Sequence, residues 1–225
     1  MLSVDSFKTS YRYMSSDRRV KDLDLLVLHY TASPYSARHG GSNYKRVRRW
    51  MEGKGRKSST HFTVLRDGKI LQSASLDERT WHSGGSKFIS PTGSTLSGIN
   101  FRSIGLDFDN VGMLFKVKGG FVDYYGRAAL KKNPNSKPRL YEGPEPFKAE
   151  DGSYWEPYSL ESIESMNSLL LTIADAYPIF KEEPWRLTGH EDIRSTKSDP
   201  GPACPVAYFR ESLVNDLGFD RVNIK

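Results

Sequence analysis

The chain has 225 residues, enough for one good core or two small ones, and its 37% hydrophobic and 12% aromatic content is an ordinary globular mixture on the polar side. No run of eighteen apolar residues occurs, which excludes a membrane-spanning helix, and the single cysteine, Cys204, excludes an internal disulfide framework and suits a reducing compartment. A net charge of +6 favours anionic partners, whether nucleic acid, an acidic membrane surface or an anionic polymer such as bacterial cell wall, without choosing among them.

The first twenty residues, "MLSVDSFKTSYRYMSSDRRV", lack the apolar centre of a secretory signal. The chain is therefore expected to stay in the cytoplasm of the producing cell, or to leave by a route it does not itself encode. Residues 1–22 are read as an N-terminal extension. "DLDLLVLHYTAS" is apolar from 23 to 28 apart from Asp24 and ends in His29, which predicts a strand covered on both faces, as in α/β sheets. In "GGSNYKRVRRWMEGKG", Tyr44, Val47, Trp50 and Met51 share a helical face, with Ser42 as the candidate cap and Gly53 as the end. Basic residues gather here, at 45–49 and 54–57, and a solvated basic surface is the plain alternative to a binding role.

"THFTVLRDGKILQSA" predicts a hairpin about Asp67-Gly68, and "SIGLDFD" another short buried strand with Asp107 and Asp109 on one side of the pleat. Residues 111–158, with Gly119-Gly120, "KKNPNSKP" and "EGPEPF", read as an irregular insertion folded against the site. "YSLESIESMNSLLLTIADAYPI" is the clearest helix: Ile163, Met166, Leu170, Ile173 and Tyr177 recur at three and four, Ser159 caps it and Pro178 stops it. "PWRLTGH" predicts a last strand that delivers His190. Strands alternate with helices, so the expected fold is a single α/β domain over residues 23–217, a central mixed β-sheet flanked by helices, followed by a tail at 218–225.

Two histidines thus end two apolar strands, where ligands bind in open α/β sheets. Nine residues past His190, Pro200 and Pro202 stiffen the backbone after Asp199. Two imidazoles, one carboxylate and a position left to water match the ligand count of a catalytic zinc site. A buried, hydrogen-bonded histidine is the commoner fate of such a residue, and spacing alone does not decide.

The stretches "LLVLHYTAS", "SSTHFTVLRDGKILQ", "WHSGG", "NFRSIGLDF" and "LTGHEDIRSTKSDPGPA" follow one another in the order seen in a known family. They span most of residues 23–209, apart from 111–158. In them the chain resembles the zinc-dependent N-acetylmuramoyl-L-alanine amidases, the family that also holds the peptidoglycan recognition proteins and phage lysozyme-like amidases. The resemblance implies that fold, a Zn2+ cofactor, and hydrolysis of the amide between muramic acid and L-alanine. It implies His29, His190 and Asp199 as metal ligands and Lys197 as the group that steadies the oxyanion. It also implies Asp107 at the position where many members place a catalytic glutamate. His61, Trp81 and His82 match positions that shape the cleft. Tyr30, Trp50, Trp81, Tyr124 and Tyr125 are candidates for sugar or peptide contacts, with core packing as the alternative.

Asp107 is one methylene shorter than glutamate, which sets its carboxylate back by about 1.5 Å. A base must reach its proton, so the strand lies closer to the metal, a water relays, or another group acts; Asp109 ranks second. Cys204, five past Asp199, reads as a small buried side chain rather than a ligand. The rival readings are a peptidoglycan-binding module without catalysis, a zinc peptidase cutting inside the stem peptide, and a nucleic-acid binder, for which no recognition motif is present. The expected partner is peptidoglycan or muropeptide, with no nucleic acid, and a monomer is the default. Intact wall and soluble muropeptide are both open as substrates, for a phage lysin or a cytosolic recycling enzyme respectively.

Overall fold

In the computed structural model, which describes residues 4–14, 22–42, 44–54 and 57–217, the apolar run becomes the middle of a sheet. In chain order the strands are β1 (Val4–Ser6), β2 (Arg12–Met14), β3 (Leu25–Tyr30), β4 (Phe62–Val64), β5 (Ile70–Gln72), β6 (Glu78–Thr80), β7 (Lys87–Ile89) and β8 (Thr95–Ser97). They continue with β9 (Ser103–Phe108), β10 (Met113–Val117), β11 (Gly120–Val122), β12 (Phe147–Lys148), β13 (Tyr154–Trp155) and β14 (Leu187–Gly189). The helices are α1 (Tyr44–Met51), α2 (Ile99–Arg102), α3 (Tyr124–Lys132), α4 (Leu160–Ala176), α5 (Ile179–Glu182), α6 (His190–Ile193) and α7 (Val206–Asn215).

Six strands form a mixed sheet in the order β1-β5-β4-β9-β3-β14. Its centre is parallel: β14 runs with β3, β3 with β9 and β9 with β4, while β4 and β5 form the antiparallel hairpin expected at Asp67-Gly68. Gly68 takes φ +79°, which only a residue without Cβ adopts cheaply. The edge strand β1 comes from the stretch before residue 23 and pairs parallel with β5. The tail expected at 218–225 lies outside the described residues, as do residues 55 and 56 of the basic cluster at 54–57. No described helix is long and apolar enough to cross a membrane.

Alternation along β3 and β9 divides the core. Leu26, Leu28, Ile104, Leu106 and Phe108 point to one face, where Met166, Leu170, Ile173 and Ala174 of α4 and Phe209 and Leu213 of α7 cover them. Leu25 and Val27 point to the other, against Phe88, Ile99 and Ile193. α4 forms as its spacing predicts, and the Ser159 hydroxyl accepts from the Ser162 amide at its N-terminus. The helix at 44–51 also forms, with Val47 and Met51 buried. The Ser42 hydroxyl, two residues before it, accepts the Arg66 amide at 2.9 Å.

Residues 111–158, expected to be irregular, hold β10–β13 as an antiparallel sheet in the order β11-β10-β13-β12, together with α3 capped by the Asp123 carboxylate. Strands of two to five residues are too short for periodicity to show in sequence. The insertion is fastened by charge. Arg66 forms a fork with both Glu156 oxygens, each 2.8 Å away, lies 2.9 Å from the Asp109 carboxylate, and donates to the Ser33 and Gly41 carbonyls. Glu156 also accepts the Val111 amide. Burial disfavours the guanidinium charge, but Glu156, then Asp109, outweigh it and hold Arg66 ionised.

Arg66→Met keeps the bulk of the side chain and leaves two buried carboxylates without their counter-charge. It should cost about 3–5 kcal/mol of stability, read from the urea unfolding midpoint. A loss under about 1 kcal/mol would show that this cluster does not carry the insertion.

Candidate functional site

The parallel strands β3 and β9 end level at Tyr30 and Phe108, and β14 ends beside them, opposite Leu28. His29 sits opposite Asp107 in the β3–β9 register, so both side chains leave the sheet on the same face, the face of Leu25 and Val27. Gly189 pairs with Leu28, and the next residue, His190, starts α6. The Asp192 carboxylate fixes that start by accepting from the Gly189 amide at 2.9 Å and the Thr188 hydroxyl at 2.8 Å. The chain then loops back, and the Glu191 amide donates to the Asp199 carbonyl at 3.0 Å, which pins the proline-stiffened segment beside His190.

Three side chains distant in sequence converge there. Asp199 Oδ2 lies 2.8 Å from His29 Nδ1 and 3.0 Å from His190 Nδ1, and the two Nδ1 atoms are 3.1 Å apart. Both imidazoles are 4% exposed. Burial pushes the His29 pKa down more than Asp199 raises it, so its ring stands neutral with a lone pair to give. Burial alone would push Asp199 up, but its contacts with His190 and His29 hold the carboxyl well below the usual range. Two imidazoles and a carboxylate facing inward form a set of acceptors that asks for a cation. Ligand atoms about 2.0–2.1 Å from a tetrahedral zinc stand ~3.3 Å apart, within about half an ångström of these separations. The residues fit that ion.

Other residues named from sequence fall into distinct places. Asp107, 5% exposed, shares the face of His29. Asp109, the second-ranked base, is engaged by Arg66 and accepts from the Thr31 hydroxyl. Lys197 is exposed on the loop before Asp199, close enough for its charge to help depress His29. Tyr30 faces Ser198, 3.3 Å from its hydroxyl, and packs edge-on to Trp155, bracing the loop that carries Asp199. His61 is fully buried, donating from Nε2 to the Glu78 carbonyl and accepting the Gly105 amide at Nδ1, so the protein uses both ring nitrogens. Trp81 is 40% exposed, with the Arg79 guanidinium over its ring. Tyr124 and Tyr125 are exposed on α3. Cys204 is buried in the core beneath α7, outside the converging trio, and burial pushes its thiol far up.

Sequence reasoning missed two features. His82 does not stand free in the cleft: its Nδ1 is 2.9 Å from His29 Nε2 and its Nε2 is 3.0 Å from Ser103 Oγ. Glu191, exposed on α6, is pushed up to about 7 by partial desolvation, then by Asp192 and Asp199. A glycine inside the strand pattern, Gly105, was the available signal for the first, since it marks close approach of another group. Beyond His29, a cavity of about 220 Å³ opens between residues 31–33 and α1, with Arg46, Arg49 and Lys54 around Trp50.

A family model described as N-acetylmuramoyl-L-alanine amidase matches residues 19–202. No curated protein matches the sequence. Among solved structures, AmpDh3 from Pseudomonas aeruginosa, in complex with an anhydromuramic pentapeptide, is 21% identical with a TM-score of 0.56, over 89% of this chain and 63% of its own. AmiD from E. coli, in complex with anhydro-N-acetylmuramic acid-L-Ala-D-γ-Glu-L-Lys, is 20% identical with a TM-score of 0.57, over 88% and 60% respectively. An AmpD structure is 20% identical with a TM-score of 0.55, over 95% and 96%. These likenesses establish the mixed α/β fold, and the chain spans less than two thirds of the AmpDh3 and AmiD chains.

Cys204→Ala should leave bound zinc per dialysed chain unchanged, whereas His190→Ala should lose it, as read by mass spectrometry of the metal. A parallel loss in the alanine variant at 204 would bring the thiol into the site.

Proposed function

The chain belongs to the N-acetylmuramoyl-L-alanine amidase family, and we propose that it is a zinc-dependent hydrolase of the amide bond between N-acetylmuramic acid and L-alanine in peptidoglycan or muropeptides. The observation that carries this reading is the convergence of His29, His190 and Asp199 within 4.8 Å of one another at the ends of the parallel strands. A binding module that had lost catalysis would be expected to have lost part of this set.

An amide resists neutral water, so the site must make a strong nucleophile and stabilise a tetrahedral anion. Zinc held by the trio would supply Lewis acidity, lowering the pKa of a water to about 7 and polarising the scissile carbonyl. Asp107, on the face of His29, takes the proton of the attacking water and passes it to the departing alanine nitrogen. Lys197 places a positive charge beside the reacting carbonyl and shares the developing oxyanion charge, a contribution on the order of 3 kcal/mol. Asp199 and the neutral His29 ring keep the ligand field anionic by one charge.

The stem peptide is acidic: a γ-linked glutamate, as in the ligand bound to AmiD, keeps its α-carboxylate free. The groove past His29, with Arg46, Arg49 and Lys54 around Trp50, offers it cationic and aromatic surface. Net charge alone could not have placed that surface at the mouth of the strands.

Digestion of sacculi and of soluble muropeptides, followed by mass spectrometry, tests the reaction. A free lactyl carboxylate and a new N-terminal alanine are expected, and cuts confined to the stem peptide would replace the amidase with a peptidase. Asp107→Asn should keep its zinc and lose turnover by about 10²-fold or more. Lys197→Ala should lower turnover by ~10² with unchanged metal content. Full activity in the asparagine variant would remove Asp107 as the base.

A further inference from the structure

We propose that His82 is a positioning residue that sets the tautomer and ring plane of His29, through a proton-ordered chain running from Ile99 through Ser103 and His82 to the metal-facing nitrogen. The inference rests on the metal reading of His29, His190 and Asp199.

The order of protons follows from the far end of the chain. A backbone carbonyl only accepts, so the Ser103 hydroxyl donates to the Ile99 carbonyl, at 2.5 Å. With its single hydrogen spent, Ser103 Oγ accepts from His82 Nε2–H across 3.0 Å. A neutral imidazole protonated at Nε2 carries its lone pair at Nδ1. That lone pair accepts from His29 Nε2–H at 2.9 Å. The proton of His29 is thereby held on the nitrogen away from the site, and Nδ1 is left bare toward Asp199 and His190. The rings of His29 and His82 meet edge-on, with centroids 5.1 Å apart and planes at 81°, which fixes orientation as well as protonation.

His82 is itself held. Its backbone amide donates to Asn100 Oδ1 at 3.1 Å, and the same oxygen takes the Ser83 amide and hydroxyl. Its ring lies over Gly105 in the middle of β9. A Cβ there would stand 2.7 Å from His82 Cγ and 2.9 Å from Cδ2. Gly105 is not among the glycines with positive φ, so its backbone does not call for glycine. Room for the His82 ring does. His190 is built differently: its Nε2 is buried and has no hydrogen-bond partner among the described residues. The orienting apparatus is thus concentrated on His29.

The test compares zinc dissociation constants, by chelator competition, for wild type, His82→Leu, His82→Gln, Ser103→Ala and Gly105→Ala. Outer partners of a ligating histidine typically set 10–100-fold in metal affinity, and that is the loss expected for His82→Leu. Glutamine carries an acceptor and a donor spaced like the two ring nitrogens, so His82→Gln should recover much of the loss. Ser103→Ala should fall between them, and Gly105→Ala should weaken zinc although it removes no polar atom.

In zinc-loaded wild type, long-range 1H–15N spectra should place the His82 proton on Nε2 and show coupling across the hydrogen bond to His29 Nε2. A folded His82→Leu protein that binds zinc within twofold of wild type overturns the proposal, and so does a His82 proton on Nδ1. The spectrum decides even where the leucine variant does not fold. A wild-type chain that holds no zinc overturns the metal reading itself, and with it this inference.

Discussion

Everything at the site descends from one constraint: β14, β3 and β9 run parallel, in register, and end within two residues of one another. Because the direction is shared, the last side chains of three strands fall at one edge of the sheet. His29 and Asp107 face the same way since they are register partners. His190 arrives one residue past the partner of Leu28. Only Asp199 comes from a loop, and its backbone is tied to the first turn of α6. Were β9 slipped by a single residue, Asp107 would point into the apolar layer under α4, away from His29 and the proposed role of base.

The burial that makes the core also prepares the chemistry. Leu25 and Val27 share the His29 face, so the imidazole leaves the same dry layer that packs Ile99 and Phe88. Desolvation keeps the ring neutral and strengthens every charge interaction around it. The polar partners that make this tolerable, His82 and Ser103 on one side and Asp199 on the other, are themselves short-range contacts with little freedom.

The parts legible in sequence were those that local pattern can report. The run at 23–28 announced a buried strand, Asp67-Gly68 a hairpin, and the spacing of Met166, Leu170 and Ile173 a helix. Histidines closing apolar runs and an aspartate before two prolines stood out for the same reason. What stayed hidden depends on pairs far apart in the chain. Asp107 and Asp109 look alike in "GLDFD", and Arg66, 43 positions upstream of Asp109, sets the second apart by engaging it. His82 matched a cleft position, yet its hydrogen bond to His29 crosses 53 residues.

The fork between Arg66 and Glu156 joins a residue beside the hairpin turn to the last turn of chain before α4, spanning 90 positions. This makes the segment from 111 to 158 something other than a detachable ornament. A chimera that trims it away would take two charge-assisted bonds from a buried guanidinium and leave Asp109 as its remaining carboxylate. A relative that receives it by grafting would have to receive an arginine at the hairpin in the same step. Loop swapping within this fold is therefore governed here by the pairing of buried charges before it is governed by length.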